Sequence, residues 1–175
     1  WRPLVARAAT LEAELHYQKG EYELSEKVGV VAYMQAARWN VWDVAADTAN
    51  SLAYNVGWEL SRSDDGLLWA EHARVALAHA GDPLQLGEAR RLSNTAAAMQ
   101  TKGQVEDAIP LVEKALEINR RSLPEGHPTI AGELNDLAFL LSLANRHEEA
   151  KALHQEALAA FEKTYGPVHT DVAMS

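Results

Sequence analysis

The sequence contains an internal repeat, and this repeat constrains the fold more than any other feature. When residues 92–131 are laid on residues 134–173, nine of forty positions are identical. A period of about 20 to 50 residues is typical of proteins that stack copies of one small unit. The identical residues are mostly leucine and alanine, which suit a buried stripe and close contacts between helices. They are Leu92/Leu134, Ala96/Ala138, Glu106/Glu148, Ala108/Ala150, Leu111/Leu153, Ala115/Ala157, Leu116/Leu158, His127/His169 and Ala131/Ala173.

Each copy of the repeat is predicted to contain two helices. Apolar residues recur at helical spacing in nearly every segment, and no segment alternates strictly over the length of a strand. The polar stretches "QKGE", "RSDDG", "TKGQ" and "ANRH" predict turns between the first and second helices. The second helices then begin near Tyr22, Leu67, Val105 and His147. We therefore predict an all-α fold with four helix pairs.

Two earlier copies of the unit precede the clear ones, with looser spacing. The predicted units cover residues 7–48, 49–89, 90–131 and 132–175, in a single array that spans residues 1–175. The tail "GPVHTDVAMS" is predicted to begin a fifth unit, with helix at Asp171–Ser175. Because Trp69 aligns with a small residue of the other units, the second pair is expected to be the least regular. A chain that opens at Trp1 is interpreted as a piece of a longer protein.

Composition narrows the range of functions. The chain has 16 Lys and Arg against 25 Asp and Glu, a net charge of -9. This balance argues against nucleic acid and against anionic membranes as partners, since both attract basic surfaces. Cysteine is absent, which excludes disulfides, thiolate metal sites and a cysteine nucleophile. Since no apolar run is long enough for a membrane helix, we predict a cytoplasmic protein.

The two clear repeats carry a family resemblance. The stretches "LSNTAAAMQTKGQVEDAIPLVEKALEINRRSLPEGHPTIA" and "LNDLAFLLSLANRHEEAKALHQEALAAFEKTYGPVHTDVA" resemble tetratricopeptide repeats of the 42-residue kind, as in kinesin light chains and many bacterial signalling proteins. The resemblance implies an α-α superhelix of about four helix pairs and the start of a fifth, with a concave inner groove. A weaker resemblance links "GEYELSEKVGVVAYMQAARWN" and "NVGWELSRSD" to the repeat tails of bacterial Ser/Thr kinases.

Catalytic and metal-binding patterns are missing from the sequence. It has no GxxxxGK[ST], GxGxxG, HExxH or GxSxG motif. The histidine pairs His72/His79 and His147/His154 share a helix face, but no carboxylate cluster completes a metal site. His127 and His169 are interpreted as residues at helix starts. We therefore predict no enzyme, no cofactor and no metal.

The resemblance also implies candidate ligand contacts, because the inner face of each first helix binds partners in this family. Asn55, Asn94 and Asp136 share one equivalent position, where solvent-accessible polar side chains could hold the backbone of an extended peptide. Trp58 and Phe139 could hold its side chains. The alternative is that asparagine tolerates a crowded inner face and the aromatic rings pack on the adjacent helix. The full candidate set is Arg7, Tyr54, Asn55, Trp58, Arg62, Arg90, Asn94, Gln100, Asn135, Asp136 and Phe139.

Three functional hypotheses follow from these observations. The first is a non-catalytic scaffold that binds a protein or peptide partner in the groove. The second is a regulatory or sensor segment of a larger bacterial Ser/Thr kinase or signalling ATPase. The third, an independent hydrolase, would need a clustered nucleophile and base, which the sequence does not show. The sequence identifies neither the partner nor the oligomeric state.

Overall fold

The protein is built from consecutive helices, as a computed structural model that describes residues 1–165 shows. A short π-helical segment, Asn55–Glu59, continues the third helix, and the predicted all-α fold with four helix pairs is confirmed. The predicted helix at Asp171–Ser175 lies outside the described residues. The helices are α1 (Arg2–Gln18), α2 (Tyr22–Arg38), α3 (Trp42–Tyr54), α4 (Ser63–Ala80), α5 (Leu86–Thr101), α6 (Val105–Ser122), α7 (Pro128–Leu143) and α8 (His147–Tyr165).

The turn inside each pair contains one residue in the left-handed backbone conformation. These residues are Gly20, Ser61, Gly103 and Asn145, with φ values of 74°, 53°, 80° and 62°. Such a residue ends a helix and lets the chain reverse. Three second helices begin where the sequence predicts, at Tyr22, Val105 and His147. The prediction for α4 is four residues late, because Gly66 lies inside that helix and not in the turn before it.

Alanine lines the contacts between helices, as the repeat predicts. The six alanines at repeated positions, Ala96, Ala108, Ala115, Ala138, Ala150 and Ala157, are all buried. The core cluster of the third and fourth pairs also contains Val112, Leu134 and Leu141. A small side chain at a repeated position lets two helices approach closely, while larger apolar side chains beside it fill the remaining space.

In α4, α6 and α8, the second helices of the last three pairs, the fourth residue is small and lies at a close helix crossing. These residues are Gly66 in α4, Ala108 in α6 and Ala150 in α8, and all three are buried. The alignment that puts Trp69 at this position is therefore wrong by three residues. Trp69 instead packs against the rings of Tyr33 and His72, at centroid distances of 5.3 and 5.1 Å.

The second pair is nevertheless irregular, for a reason that lies in its first helix. The stretch from the start of α3 at Trp42 to the turn residue Ser61 is longer than the equivalent stretch from Leu86 to Gly103 in the third pair. The longer stretch contains the π-helical segment, which accommodates extra residues within a continuous helix. The predicted unit limits at residues 49, 90 and 132 fall within α3, α5 and α7, so each structural unit is a helix pair that begins earlier in the chain.

Candidate functional site

A cavity near the start of the array, called here the first chamber, is lined by helices of the first three pairs. It has a volume of about 220 Å³ and lies between α1, α2, α3 and α5. Its lining combines hydroxyl, amide and charged side chains with apolar ones, so the chamber offers hydrogen-bond partners as well as apolar contact. The lining residues are Thr10, Ala13, Glu14, Tyr17, Ser25, Gly29, Thr48, Ser51, Leu52, Tyr54, Asn55, Arg90 and Asn94.

A second chamber adjoins the first, since Tyr54 and Asn94 line both. It has a volume of about 330 Å³ and lies mainly between the π-helical segment, α5 and α7. Aromatic rings and amides dominate its wall. Its lining residues are Tyr54, Trp58, Ser93, Asn94, Ala96, Ala97, Gln100, Val112, Asn135, Asp136, Phe139, Leu140 and His154.

Most of the sequence-predicted residues line one or both chambers. Those in the first are Tyr54, Asn55, Arg90 and Asn94, and those in the second are Tyr54, Trp58, Asn94, Gln100, Asn135, Asp136 and Phe139. Arg7 and Arg62 line neither chamber. Arg7 pairs with Asp43, and Arg62 pairs with Glu26 at 2.8 Å and with Asp65. These two arginines therefore link helices to each other.

The amides of Asn55 and Asn94 bind the protein's own backbone. Asn55 Nδ2 donates to the Tyr22 carbonyl at 3.0 Å, and Asn94 Nδ2 donates to the Asn50 carbonyl at 2.7 Å. Only 2% of Asn55 and 8% of Asn94 is exposed. The prediction that both are solvent-accessible is wrong, because each faces the preceding helix pair. The predicted equivalence of Asn55 with Asn94 is also wrong, since Asn55 lies 8 residues before the start of α4 and Asn94 lies 11 before the start of α6. The alternative interpretation, a crowded inner face, describes these two residues.

The position of the fourth pair that is equivalent to Asn94 behaves differently. Asp136 is exposed to the chamber, and within residues 1–165 it makes no hydrogen bond or ion pair. The protein atoms that surround Asp136 in the groove displace water, and this desolvation raises its pKa to about 6. The neighbouring Asn135 has its Oδ1 atom 2.9 Å from His154 Nδ1, so it links α7 to α8.

A buried carboxyl group that the sequence analysis missed lies one helical turn before Asp136. Glu133 is 7% exposed, and burial followed by the charge of Asp136 raises its pKa to about 7, against the effect of the Ser93 hydrogen bond. Ser93 Oγ donates to Glu133 Oε1 at 2.6 Å, while Glu133 Oε2 has no partner in the described part of the chain. A glutamate inside an otherwise apolar helical stretch is the only sequence signal for it.

The first chamber contains a comparable unsatisfied acceptor. Asn55 Oδ1 is buried and accepts no hydrogen bond from the described residues. In the same chamber, Arg90 donates to Ser51 Oγ at 2.8 Å. Burial raises the pKa of Asp47, and the nearby charge of Arg90 offsets only part of this effect. The positive charge of Arg90 is therefore partly balanced by an acidic neighbour.

The histidines serve as packing and helix-end residues. His79 stacks on Trp42 at a centroid distance of 4.5 Å, and His72 Nδ1 lies 3.1 Å from the Tyr33 hydroxyl. His127 Nδ1 accepts a hydrogen bond from the Thr129 amide at the start of α7, as predicted for a residue at a helix start. His169 lies outside the described residues. Among residues 1–165, no group of three or more potential ligands is placed to hold a metal ion.

Comparison with known proteins identifies the repeat. Residues 87–163 match the family model for the tetratricopeptide repeat. This part of the chain is therefore similar to tetratricopeptide repeats. The resemblance predicted from the sequence is therefore confirmed, and tetratricopeptide repeats are generally protein-interaction scaffolds. A search of curated proteins gives no match to the sequence.

Solved structures extend this similarity of fold to nearly the whole chain. BtubC (BKLC) from P. vanneervenii superposes with a TM-score of 0.78 and 20% identity, over 95% of this chain and 66% of that one. A Podosopora anserina protein of the kinesin light chain type, with nearly identical TPR-like repeats, gives 0.76 and 18%, over 98% and 82%. At these identities the tetratricopeptide repeat fold is what the comparison shows. The chain spans just under two thirds of BtubC.

Within residues 1–165, no helix combines the length and the apolar character needed to cross a bilayer.

Proposed function

We propose that the chain is a non-catalytic scaffold module that binds an extended peptide segment of a protein partner in the two chambers. The proposal rests on the continuity of the two chambers. Side chains from the first helix of every pair line them, and both chambers share Tyr54 and Asn94. Aromatic side chains and amides together suit a peptide, because rings contact its side chains and amides its backbone.

The exposed aromatic ring of Phe139 supports the same proposal. Phe139 is 47% exposed although it lies on the inner wall of the second chamber. A large apolar side chain that remains open in a groove gains free energy when a partner covers it, by about 25 cal/mol per Å² of apolar surface. Trp58, in the π-helical segment, lines the same chamber and is half-buried, so it offers a second aromatic ring to a ligand side chain.

A peptide-display selection on the purified chain tests this function. We expect it to recover peptides that bind at a single site and that lose at least about tenfold in affinity to the Phe139→Ser variant. The matched control is Leu68→Ser, which removes another exposed apolar side chain, 58% exposed and away from both chambers. Peptides that bind both variants as tightly as the parent would exclude the groove as the binding site.

Two finer expectations remain predictions. The first is that the chain works in the cytoplasm, as part of a bacterial signalling protein. The second is an alternative role, in which the chain is a regulatory segment attached to a Ser/Thr kinase or a signalling ATPase. A full-length sequence with a kinase or nucleotide-binding motif next to the repeats would support that alternative. A panel of hydrolase substrates that yields turnover by the purified chain would contradict the non-catalytic assignment.

A further inference from the structure

We propose that the second chamber binds a basic side chain, lysine or arginine, of the peptide. This inference rests on the proposed function and adds the chemical class of the ligand at one position. Three features of the chamber carry it: a carboxylate without a cationic partner, aromatic rings on its walls, and a volume suited to a single side chain.

The carboxylate is Asp136. The ten ion pairs of the described residues do not include it, and no lysine or arginine lines the second chamber. A carboxylate that is partly desolvated and unpaired is less stable than one with a counter-charge nearby. A cationic ligand group would supply that counter-charge. An acidic side chain would be repelled, and a neutral one would leave Asp136 uncompensated.

The aromatic rings belong to Tyr54, Trp58 and Phe139. The negative face of an aromatic ring attracts ammonium and guanidinium groups, most strongly for tryptophan. Asp136 and Tyr54 are close enough to interact electrostatically, since the aspartate contributes, after burial and Glu59, to the raised pKa of the tyrosine. A cation in this chamber would therefore contact the carboxylate and an aromatic face together.

The remaining lining residues leave room for such a group and can bind it. The side chain of Gln100 makes no hydrogen bond in the described structure, so its carbonyl oxygen is available to an ammonium or guanidinium donor. A volume of about 330 Å³ lies at the lower end of the range for ligand pockets. One long side chain fits this volume better than a large folded ligand does.

Binding of blocked amino acids, followed by ¹H–¹⁵N NMR, tests the inference. The probes are the Nα-acetyl N-methylamides of lysine, arginine, norleucine and glutamate, and the Trp58→Phe variant assigns the indole N–H signal of Trp58. We expect lysine and arginine probes to shift this signal saturably. Norleucine, of similar length and without charge, should bind about fivefold more weakly or worse, which corresponds to about 1 kcal/mol.

The Asp136→Asn variant should lower the affinity for the lysine probe about fivefold. The matched control is Asp107→Asn, which changes the net charge equally at an exposed position of α6 away from both chambers. Its affinity should equal that of the parent. Equal binding of norleucine and lysine, or an unchanged affinity of Asp136→Asn, would overturn the inference.

The two proposals fail separately. Groove-binding peptides from the display selection that carry no lysine or arginine at the position contacting Phe139 would overturn the basic-residue inference and leave the scaffold function intact. A selection that recovers no peptide, together with saturable lysine binding that depends on Asp136, would support the cation site and contradict the peptide-binding function.

Discussion

The second helix pair and the two later pairs all have a small residue where their two helices cross, but the identity of that residue differs. In the later pairs the small residues are alanines, Ala108 and Ala150, and the first helices are regular. In the second pair Gly66 lies against Gly57, and a π-helical segment interrupts the first helix. A Cβ atom on Gly66 would lie 2.3 Å from Gly57 Cα, so the two backbones are in direct contact.

This difference shows how the array accommodates an irregular unit. The last three second helices begin at equal intervals along the chain, at Ser63, Val105 and His147, although α3 reaches its turn later than α5 does. The π-helical segment takes up the additional length, and glycine at both sides of the crossing removes the side chains that would otherwise collide. Stacking with neighbouring pairs is therefore preserved while one helix changes locally.

The inner wall differs between the same regions. In the second and third pairs Asn55 and Asn94 donate to backbone carbonyls, whereas the fourth pair has Asp136 at the position equivalent to Asn94. A carboxylate accepts hydrogen bonds but does not donate them, so it cannot bind a carbonyl in the same way. The early wall is thus closed by internal hydrogen bonds, whereas the late wall has acidic groups with raised pKa values.

The largest effect is expected from Gly66→Ala. The added Cβ atom would meet Gly57 Cα at 2.3 Å, Gly57 N at 2.8 Å and the Ala53 carbonyl oxygen at 3.0 Å. Because these are backbone atoms, the helices must separate, and we expect a loss of about 3 kcal/mol in the free energy of unfolding. Urea denaturation followed by circular dichroism measures it. A variant as stable as the parent would show that the crossing is looser than described.

The next effect concerns Glu133 and depends on pH. Above about pH 7 its carboxylate is buried and charged in the folded chain, whereas the unfolded chain loses the proton near pH 4.5. Since the folded state holds the proton more tightly, stability falls as the pH rises from about 4.5 to 7. Replacing Glu133 with glutamine should remove this dependence and raise the free energy of unfolding at pH 8 by about 2–3 kcal/mol.

Urea titrations of parent and Glu133→Gln at pH 4.5, 6 and 8 measure that difference. Asp136, whose pKa is also raised, contributes a dependence of the same sign in both proteins, so the difference between the two profiles reports Glu133 together with its interaction with Asp136. Parallel profiles from pH 4.5 to 8 would mean that the Glu133 carboxyl is well solvated in the folded chain.

A smaller loss is expected from Asn94→Ala. The change removes the 2.7 Å hydrogen bond to the Asn50 carbonyl at a position that is 8% exposed. Leaving a buried carbonyl without its donor costs about 1–3 kcal/mol, so the thermal midpoint should fall. The control is Gln100→Ala on the same helix, which loses no hydrogen bond. A similar midpoint for both variants would contradict the structural role of the Asn94 amide.

The smallest effect should have the opposite sign. Gly132 lies inside α7, and a Cβ atom added to it would have no neighbour within 4 Å. Gly132→Ala should therefore stabilise the chain by about 0.4–1 kcal/mol, because alanine restricts the unfolded chain without causing a clash. Calorimetry of this variant beside Gly66→Ala separates a glycine required by a close crossing from one that is not. Destabilisation at Gly132 would mean that α7 packs more tightly than described.

Local sequence determined the helices, most of their starts and the buried alanines. Apolar residues recur at helical spacing within each helix, and the internal repeat aligns these buried positions between units. The burial of Ala96 and Ala138 therefore follows from spacing alone. The glycines and asparagines of the turns act through their own backbone angles, which is also a local property. The groove candidates came from the family resemblance, carried onto this chain at the repeat spacing.

Tertiary structure decided what those candidates face. Asn94 reaches a carbonyl 44 residues earlier in the chain, and Asn55 reaches one 33 residues earlier, so the direction of each amide depends on how neighbouring pairs stack. The burial of Glu133 under Ser93, 40 residues away, has the same origin. The small residue at the second crossing was misplaced at Trp69 because the alignment set Asn55 on Asn94, 39 residues apart, whereas α4 and α6 begin 42 residues apart. Only the packing of one pair on the next fixes these contacts, since repeat spacing carries no information about local changes in helix geometry.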